Sequence, residues 1–281
     1  MLIGTHISAA GGLVNAPKNS HAVGGEIFQF FSRSPRGGKA PVITKAVVTD
    51  FKTAMKKYQQ QECYIHAPYY INLASTNNRI YYGSISVLRE ELERGSLLGV
   101  KYLMTHLGSA KELGEKEALK KVVAGIKKIL EDYTGSTQFL IEMSAGAGMI
   151  IGDSFEEISL IIKNLKLKNK NSVGVCFDTA HGFASGYDLR DQKAVKKTFD
   201  DFDKLIGLKR LKLMHVNDSM VELGSHRDRH QNIGEGKIGH QGFEALVKEP
   251  RLENINLILE TPDKDKDQLN IKILKDFRNK K

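Results

Sequence analysis

Six short apolar runs in this chain each end on a residue able to donate to a metal. They are Cys63–Tyr64–Ile65–His66, Tyr102–Leu103–Met104–Thr105–His106, Phe139–Leu140–Ile141–Glu142, Val173–Gly174–Val175–Cys176–Phe177–Asp178, Leu211–Lys212–Leu213–Met214–His215 and Leu257–Ile258–Leu259–Glu260. Buried strands read as continuous apolar stretches, so packing gives no reason for a charged or imidazole residue at the same end of each one. If the strands are parallel, all six side chains converge at one end of one sheet. Convergent N and O donors without a thiolate suit Zn²⁺, with Mn²⁺ or Fe²⁺ as substitutes.

Three further candidates follow the last strands. His181 comes three residues after Asp178, and Asp228 and His230 lie in Gly224–Ser225–His226–Arg227–Asp228–Arg229–His230. In extended chain, residues i and i+2 share a side and i+3 takes the other. Asp228 and His230 can then share one ion, whereas Asp178 and His181 are expected to serve different ones. The full set of five His, two Asp and two Glu is enough for more than one metal. Two Asp and two Glu carry −4, and three divalent ions would bring +6, leaving a positive pocket. Such a pocket suits a phosphodiester, and closely spaced metals suit in-line displacement at phosphorus. No G-x-S-x-G, phosphate-binding glycine loop or H-E-x-x-H motif offers a rival chemistry.

Each part has a bland alternative. A strand-end His can be a hydrogen-bonded core residue, and Glu142 or Glu260 half of an ion pair. Asp178 with His181 can be a capped turn before a helix, and Asp228 and His230, flanked by Arg227 and Arg229, a solvated charge run. His6, His21, His226 and His240 keep the bland reading; His6, which also ends a strand, is the candidate for a supporting contact. All of these alternatives together require a coincidental convergence.

The elements that must position these residues alternate from end to end. Strands are predicted near 2–8, 26–32, 63–69, 101–107, 138–144, 173–179, 210–217 and 256–262. Between them, Val47, Phe51, Met55 and Tyr58 keep helical spacing, as do Leu119, Val122, Val123, Ile126, Ile129, Leu130 and Tyr133. Ser154 with Glu157 reads as a capping box. Eight βα units predict an α/β fold, a (βα)8 TIM barrel, with the metal site at the C-terminal ends of its strands; an open doubly wound sheet is the alternative. No composition shift divides the 281 residues, so one barrel domain over 1–281 is expected. The only cysteines, Cys63 and Cys176, sit inside strands, which suits a reducing compartment. No basic leader precedes a long apolar core, and no apolar run approaches the roughly 18 residues of a membrane span. A cytoplasmic protein without a membrane partner is expected. The net charge of +9 admits a polyanionic partner but does not select one.

At these residues the chain resembles the endonuclease IV family of apurinic/apyrimidinic (AP) endonucleases. Three blocks carry the likeness: His66–Ala67–Pro68–Tyr69–Tyr70–Ile71–Asn72–Leu73–Ala74, Gly174–Val175–Cys176–Phe177–Asp178–Thr179–Ala180–His181, and His215–Val216–Asn217–Asp218–Ser219 continuing to His230. The opening Gly4–Thr5–His6 and the Gly234–Glu235–Gly236 turn also fit. The resemblance implies three Zn²⁺: one on His66 and His106, one on Asp178, His215 and Glu260 with Glu142 bridging, and one on His181, Asp228 and His230. It implies cleavage of duplex DNA 5′ to abasic sites, leaving a 3′-hydroxyl, and trimming of blocked 3′ ends by a monomer. Glu142 and Glu260 would position the attacking hydroxide, and Arg36, Tyr69, Tyr70 and Arg229 would contact DNA. The chain departs from the family pattern at Ala180, where Cys or Ser is usual, at Met220, where Lys is usual, at Tyr70, and at Gly37–Gly38 after Arg36. Two other functions stand beside this one: a sugar isomerase or epimerase on a related metallo-barrel, and a damage-binding protein without catalysis.

Overall fold

The apolar runs pair edge to edge as parallel strands, and the pairing closes on itself. In the computed structural model, which describes residues 1–167 and 173–280, the barrel strands are β1 (Ile3–His6), β2 (Ile27–Phe30), β3 (Cys63–His66), β4 (Tyr102–Thr105), β5 (Gln138–Glu142), β6 (Val173–Asp178), β7 (Leu211–His215) and β10 (Asn256–Leu259). β1 pairs with both β2 and β10, which excludes the open doubly wound sheet and makes the fold a TIM barrel. Between β7 and β10, the two-residue strands β8 (Asp218–Ser219) and β9 (His230–Gln231) form an antiparallel ribbon. At the barrel mouth each strand stops short of the span predicted for it. Hydrogen bonding fades gradually there: Ala67 N–H still reaches Met104 O at 2.9 Å and Met143 N–H reaches Cys176 O at 2.9 Å.

Helices cover the outside: α1 (Asn15–Ala22), α2 (Lys45–Lys57), α3 (Asn78–Leu98), α4 (Glu115–Leu130), α5 (Phe155–Leu165), α6 (Thr179–Ala184), α7 (Gln192–Leu205), α8 (Gly239–Lys248) and α9 (Asp267–Asn279). The spacing read on α4 is its buried face, where Val122, Ile126 and Ile129 meet the barrel. Only half of the predicted capping box forms. Ser154 Oγ accepts Glu157 N–H at 3.2 Å, but the Glu157 carboxylate turns to the N–H of Gly152, whose left-handed turn (φ 97°) points that group at the helix start. Among the described residues no helix is long and apolar enough to cross a membrane.

Period-two alternation divides each strand between two cores. Outward side chains such as Phe28, Phe30, Ile65, Leu103, Phe139, Phe177 and Met214 pack under the helices. Inward, Ile27, Tyr64, Tyr102, Met104, Leu140, Cys176, Leu213 and Ile258 form a separate plug that fills the barrel. A register shift between Val175 and Cys176 corrects the β6–β7 pairing by one residue. It sets Asp178 opposite His215, where unbroken pairing would have met Met214. Gly174 makes the close approach beside this shift possible: a Cβ there would lie 2.6 Å from Lys212 Cγ and 2.7 Å from Leu140 Cδ2. Gly174→Val should therefore lower stability by about 1–3 kcal/mol through overpacking. Urea unfolding measures it, and an unchanged midpoint would count against this packing.

Candidate metal centre at the barrel mouth

Two residues beyond its last interior plug residue, each strand presents one polar side chain at the same end. Gln29 follows Ile27, His66 follows Tyr64, His106 follows Met104, Glu142 follows Leu140, Asp178 follows Cys176, His215 follows Leu213 and Glu260 follows Ile258. His6 completes the ring, two residues on from Gly4, which lies between Ile27 and Ile258.

Donor atoms within 4.8 Å of one another form three groups: His66, His106 and Glu142; Glu142, Asp178, His215 and Glu260; and Asp178, His181 and His230. Asp228 joins the last group from its loop, with Oδ1 3.4 Å from His181 Nε2 and 3.5 Å from His230 Nε2. All nine predicted donors are thus brought together. Glu142, fully buried, is the hub: Oε2 lies 2.8 Å from His66 Nε2, and Oε1 lies 2.9 Å from His215 Nδ1 and 3.7 Å from His106 Nε2. Glu260 Oε2 lies 3.1 Å from His215 Nδ1.

One expectation fails. The chain is not extended after Asp178, because α6 begins at Thr179 and Asp178 caps it, accepting His181 N–H at 2.9 Å. The helical turn brings His181 round to the side of Asp178. Asp178 Oδ2 consequently lies 3.9 Å from His215 Nδ1 and 3.7 Å from His230 Nε2, within reach of two groups at once. Asp178 thus caps α6 through Oδ1 while its Oδ2 faces both groups.

Electrostatics make the cluster costly as a set of bare side chains. Burial pushes the Glu142 carboxyl up, but His106, His215 and His66 outweigh it and hold the group well below the ordinary range. Glu260 is likewise held low against its burial, by His215 and His6. His181 has burial against its charge, yet Asp178, Asp228 and Glu142 raise it to about 10. Asp228, partly desolvated, is pulled down to about 2 by His181 and His230. Among the described residues every ion-pair partner of Glu142, Asp178 and Glu260 is an imidazole, with no Lys or Arg. Against their burial, these carboxylates raise His66, His181 and His215, whereas burial lowers His106 and His6, so a metal binding at the raised histidines would compete with protons. A buried His106 Nδ1 without a hydrogen-bond partner and an all-N/O donor set complete the fit to divalent ions.

Comparison with known proteins decides the family. Residues 17–278 match the model of the xylose isomerase-like TIM barrel family. The probable endonuclease 4 of Nitrosopumilus maritimus (strain SCM1) is 39% identical, over 99% of this chain and 100% of that protein. The probable endonuclease 4 of Campylobacter fetus subsp. fetus (strain 82-40) is 40% identical over 93% of each. The crystal structure of endonuclease IV from Thermus thermophilus superposes with a TM-score of 0.88 at 30% identity, covering all of both chains. The chain belongs to the endonuclease IV family. Membership makes it an enzyme, a nuclease of the hydrolase class. A D-tagatose 3-epimerase-like protein, at 19% identity and a TM-score of 0.73, shares the fold alone.

The family motifs now have physical content that donor counting missed. Gln29 Nε2 donates to Glu260 Oε1 at 2.5 Å and lies 2.9 Å from His6 Nδ1, while its Oε1 faces His215 Nε2 at 2.7 Å. Asn217 Nδ2 donates to Asp178 Oδ2, and its Oδ1 accepts Glu260 N–H, both at 2.7 Å. Asp218 donates nothing to the centre; its buried carboxylate accepts the N–H groups of Ser219, Gly234, Gly236, Ile238 and Gly239 and so shapes the Gly234–Glu235–Gly236 turn. The signal for Gln29 was present: Phe28–Gln29–Phe30 sets one amide in an otherwise apolar strand, in phase with the other donors.

Above the donors opens a cavity of about 620 Å³, lined in part by Tyr69, Tyr70 and Phe31. Tyr69 is 72% exposed and meets Phe31 edge-on at 5.3 Å. Arg36 and Arg229 are exposed and lie outside this lining. Of the departures from the family pattern, Ala180 is buried and Met220 is exposed. If Gln29 orients its neighbours as ligands, Gln29→Ala should weaken zinc affinity by about 10- to 100-fold. Competition with a chromophoric chelator measures this, and unaltered affinity would reduce Gln29 to a space-filling role.

Proposed function

We propose that this protein is a zinc-dependent DNA repair endonuclease that hydrolyses the phosphodiester 5′ to abasic sites in duplex DNA, leaving a 3′-hydroxyl, and that also trims blocked 3′ ends. The observation that carries the reading is the meeting of five imidazoles and four carboxylates in one barrel mouth, in a member of the endonuclease IV family. His66 and His106 would hold one ion, Asp178, His215 and Glu260 a second with Glu142 between them, and His181, Asp228 and His230 a third. When bound, divalent ions would supply Lewis acidity at the phosphoryl oxygens and lower the pKa of water.

The chain's own groups supply placement. Glu142 presents its two oxygens to different imidazoles, so it can serve two ions without moving. Glu260 has one oxygen held by Gln29 and its backbone N–H held by Asn217, which leaves Oε2 aimed at the cluster, where it would position the attacking hydroxide. Tyr69 and Tyr70 on the cavity wall give flat faces for stacking where a base is missing; Arg36, exposed on the loop whose Gly37 lies beside Tyr70, would enter that gap, and the exposed Arg229 would meet phosphates. An epimerase of the same fold would need fewer donors and would leave the Asp228–His230 arm unexplained.

Incision of a labelled duplex with one tetrahydrofuran abasic analogue tests the reading directly. Activity should vanish on prolonged chelation and return with Zn²⁺, and elemental analysis should find close to three ions per chain; a single ion with no incision would favour the epimerase. Glu260→Gln should lower incision by at least about 10³-fold, as loss of a group acting at the reaction centre does, while largely preserving DNA binding. Full activity in that variant would overturn the assignment of Glu260.

A further inference from the structure

A second set of buried charges lies where the α3 helix meets the segment after β2. Glu91 is fully buried, and the Arg33 and Arg94 side chains are 5% and 7% exposed. Buried ion pairs are a poor source of stability compared with apolar packing, so their presence calls for another explanation. Their contacts suggest one, because they grip both ends of a single loop. At the near end, Ser32 Oγ donates to Glu91 Oε2 and Arg33 Nε donates to Glu91 Oε1, both at 2.6 Å. Arg33 Nη2 also pairs with Glu90 Oε2 at 2.6 Å. Arg94 spans the gap, with Nε on Ser32 Oγ at 2.7 Å, Nη2 on Ser32 O at 2.6 Å, and Nη1 on Pro41 O at 2.6 Å.

Between these grips the chain rises as a short arch. Ser34 turns it, accepting Gly37 N–H at its carbonyl (3.2 Å) and Arg36 N–H at its hydroxyl (3.3 Å). Gly37 and Gly38 follow at φ 99° and 96°, which side chains disfavour. The crown stands beside the cavity wall, since a Cβ on Gly37 would come 3.9 Å from Tyr70 Cε1. Arg36 is therefore carried on a loop whose stems are fixed by charge and whose crown is shaped by two glycines.

We propose that Glu91 and Arg94 are positioning residues which, through Ser32, Arg33 and Pro41, hold Arg36 in the one orientation that distinguishes a gapped duplex from an intact one. This rests on the DNA reading above. Contact with a phosphate tolerates a wandering arginine, because charge attraction has little directionality. Entry of a side chain where the base stack is interrupted does not. Loosening the clamp should therefore weaken binding to abasic duplex far more than binding to intact duplex.

The test measures the preference ratio, Kd for intact duplex over Kd for the tetrahydrofuran duplex, which does not depend on the fraction of folded protein. Glu91→Gln keeps the shape and removes the charge that balances Arg33 and Arg94. It should lower the ratio about tenfold and raise KM to match, with kcat within about twofold, as for a group that only places another. Arg94→Lys keeps the charge but cannot reach Ser32 and Pro41 together, and should lower the ratio likewise. Should Glu91→Gln not fold, Arg94→Lys decides alone. Arg36→Ala should lower the ratio too, and adding either clamp variant to it should lower it no further. An unchanged ratio in the clamp variants, an unchanged ratio in Arg36→Ala, or effects that multiply in the double variant would each overturn the proposal while leaving the endonuclease reading standing. Wild-type protein that does not incise the duplex would overturn both.

Discussion

Three strand-end carboxylates, Glu142, Asp178 and Glu260, share one barrel mouth, and among the described residues their ion-pair partners are all imidazoles. Two of these acids have no solvent exposure, so water cannot stabilise their charge. A buried carboxylate needs an opposite charge or several N–H donors beside it; Asp218 has the donors, whereas the mouth sets the raised imidazoles of His66, His181 and His215 against its acids. His181, raised to about 10, shows how far the field of Asp178, Asp228 and Glu142 reaches. The rest of the mouth follows from this constraint. Gln29 and Asn217 use their hydrogen bonds to fix Glu260, His215 and Asp178, and among the described residues no Lys or Arg pairs with these carboxylates.

Strand periodicity places the strand-end donors, while His181, Asp228 and His230 come from α6 and the segment leading into β9. Closing eight parallel strands turns alternate residues inward, and the apolar plug below the mouth seals the donors from beneath. A donor one residue earlier or later on any strand would face the helices instead. The β6–β7 register shift is the one place where the regular ladder would have set Asp178 opposite Met214, and there the strand pairing yields to the site.

Much of this was legible in the sequence because strand ends and chemistry coincide in it. The runs ending at His66, Glu142, Asp178 and His215 end the strands themselves, and His106 and Glu260 stand one residue beyond. What stayed hidden depends on three-dimensional neighbours. Gln29 and Asn217 donate nothing to a metal, so a search for donors passes over them, although period two marks Gln29. The Asp178–His181 geometry departs from expectation because a six-residue helix starts at the strand end, and neither composition nor the short run Thr179–Ala184 distinguishes that helix from extended chain. Arg36 is placed by resemblance alone, and its loop is held by charges on α3 that lie nearly sixty positions away in sequence.

The basic balance of the chain bears on substrate choice in a way that composition conceals. Many of its lysines are taken up by helix-surface pairs: Lys196 with Asp200, Lys197 with Asp201, Lys248 with Glu244 and Lys120 with Glu117. Pairs of this kind contribute little to a long-range field. Among the side chains lining the cavity, Lys264 is the one lysine or arginine, and it is half drawn aside by Asp267 at 3.7 Å. Side chains alone therefore leave the mouth short of the positive charge that a phosphodiester requires. Ions held by the nine donors would supply it, so metal affinity and affinity for an anionic substrate would be coupled through the same cluster. The surplus lysines outside it would add attraction without direction.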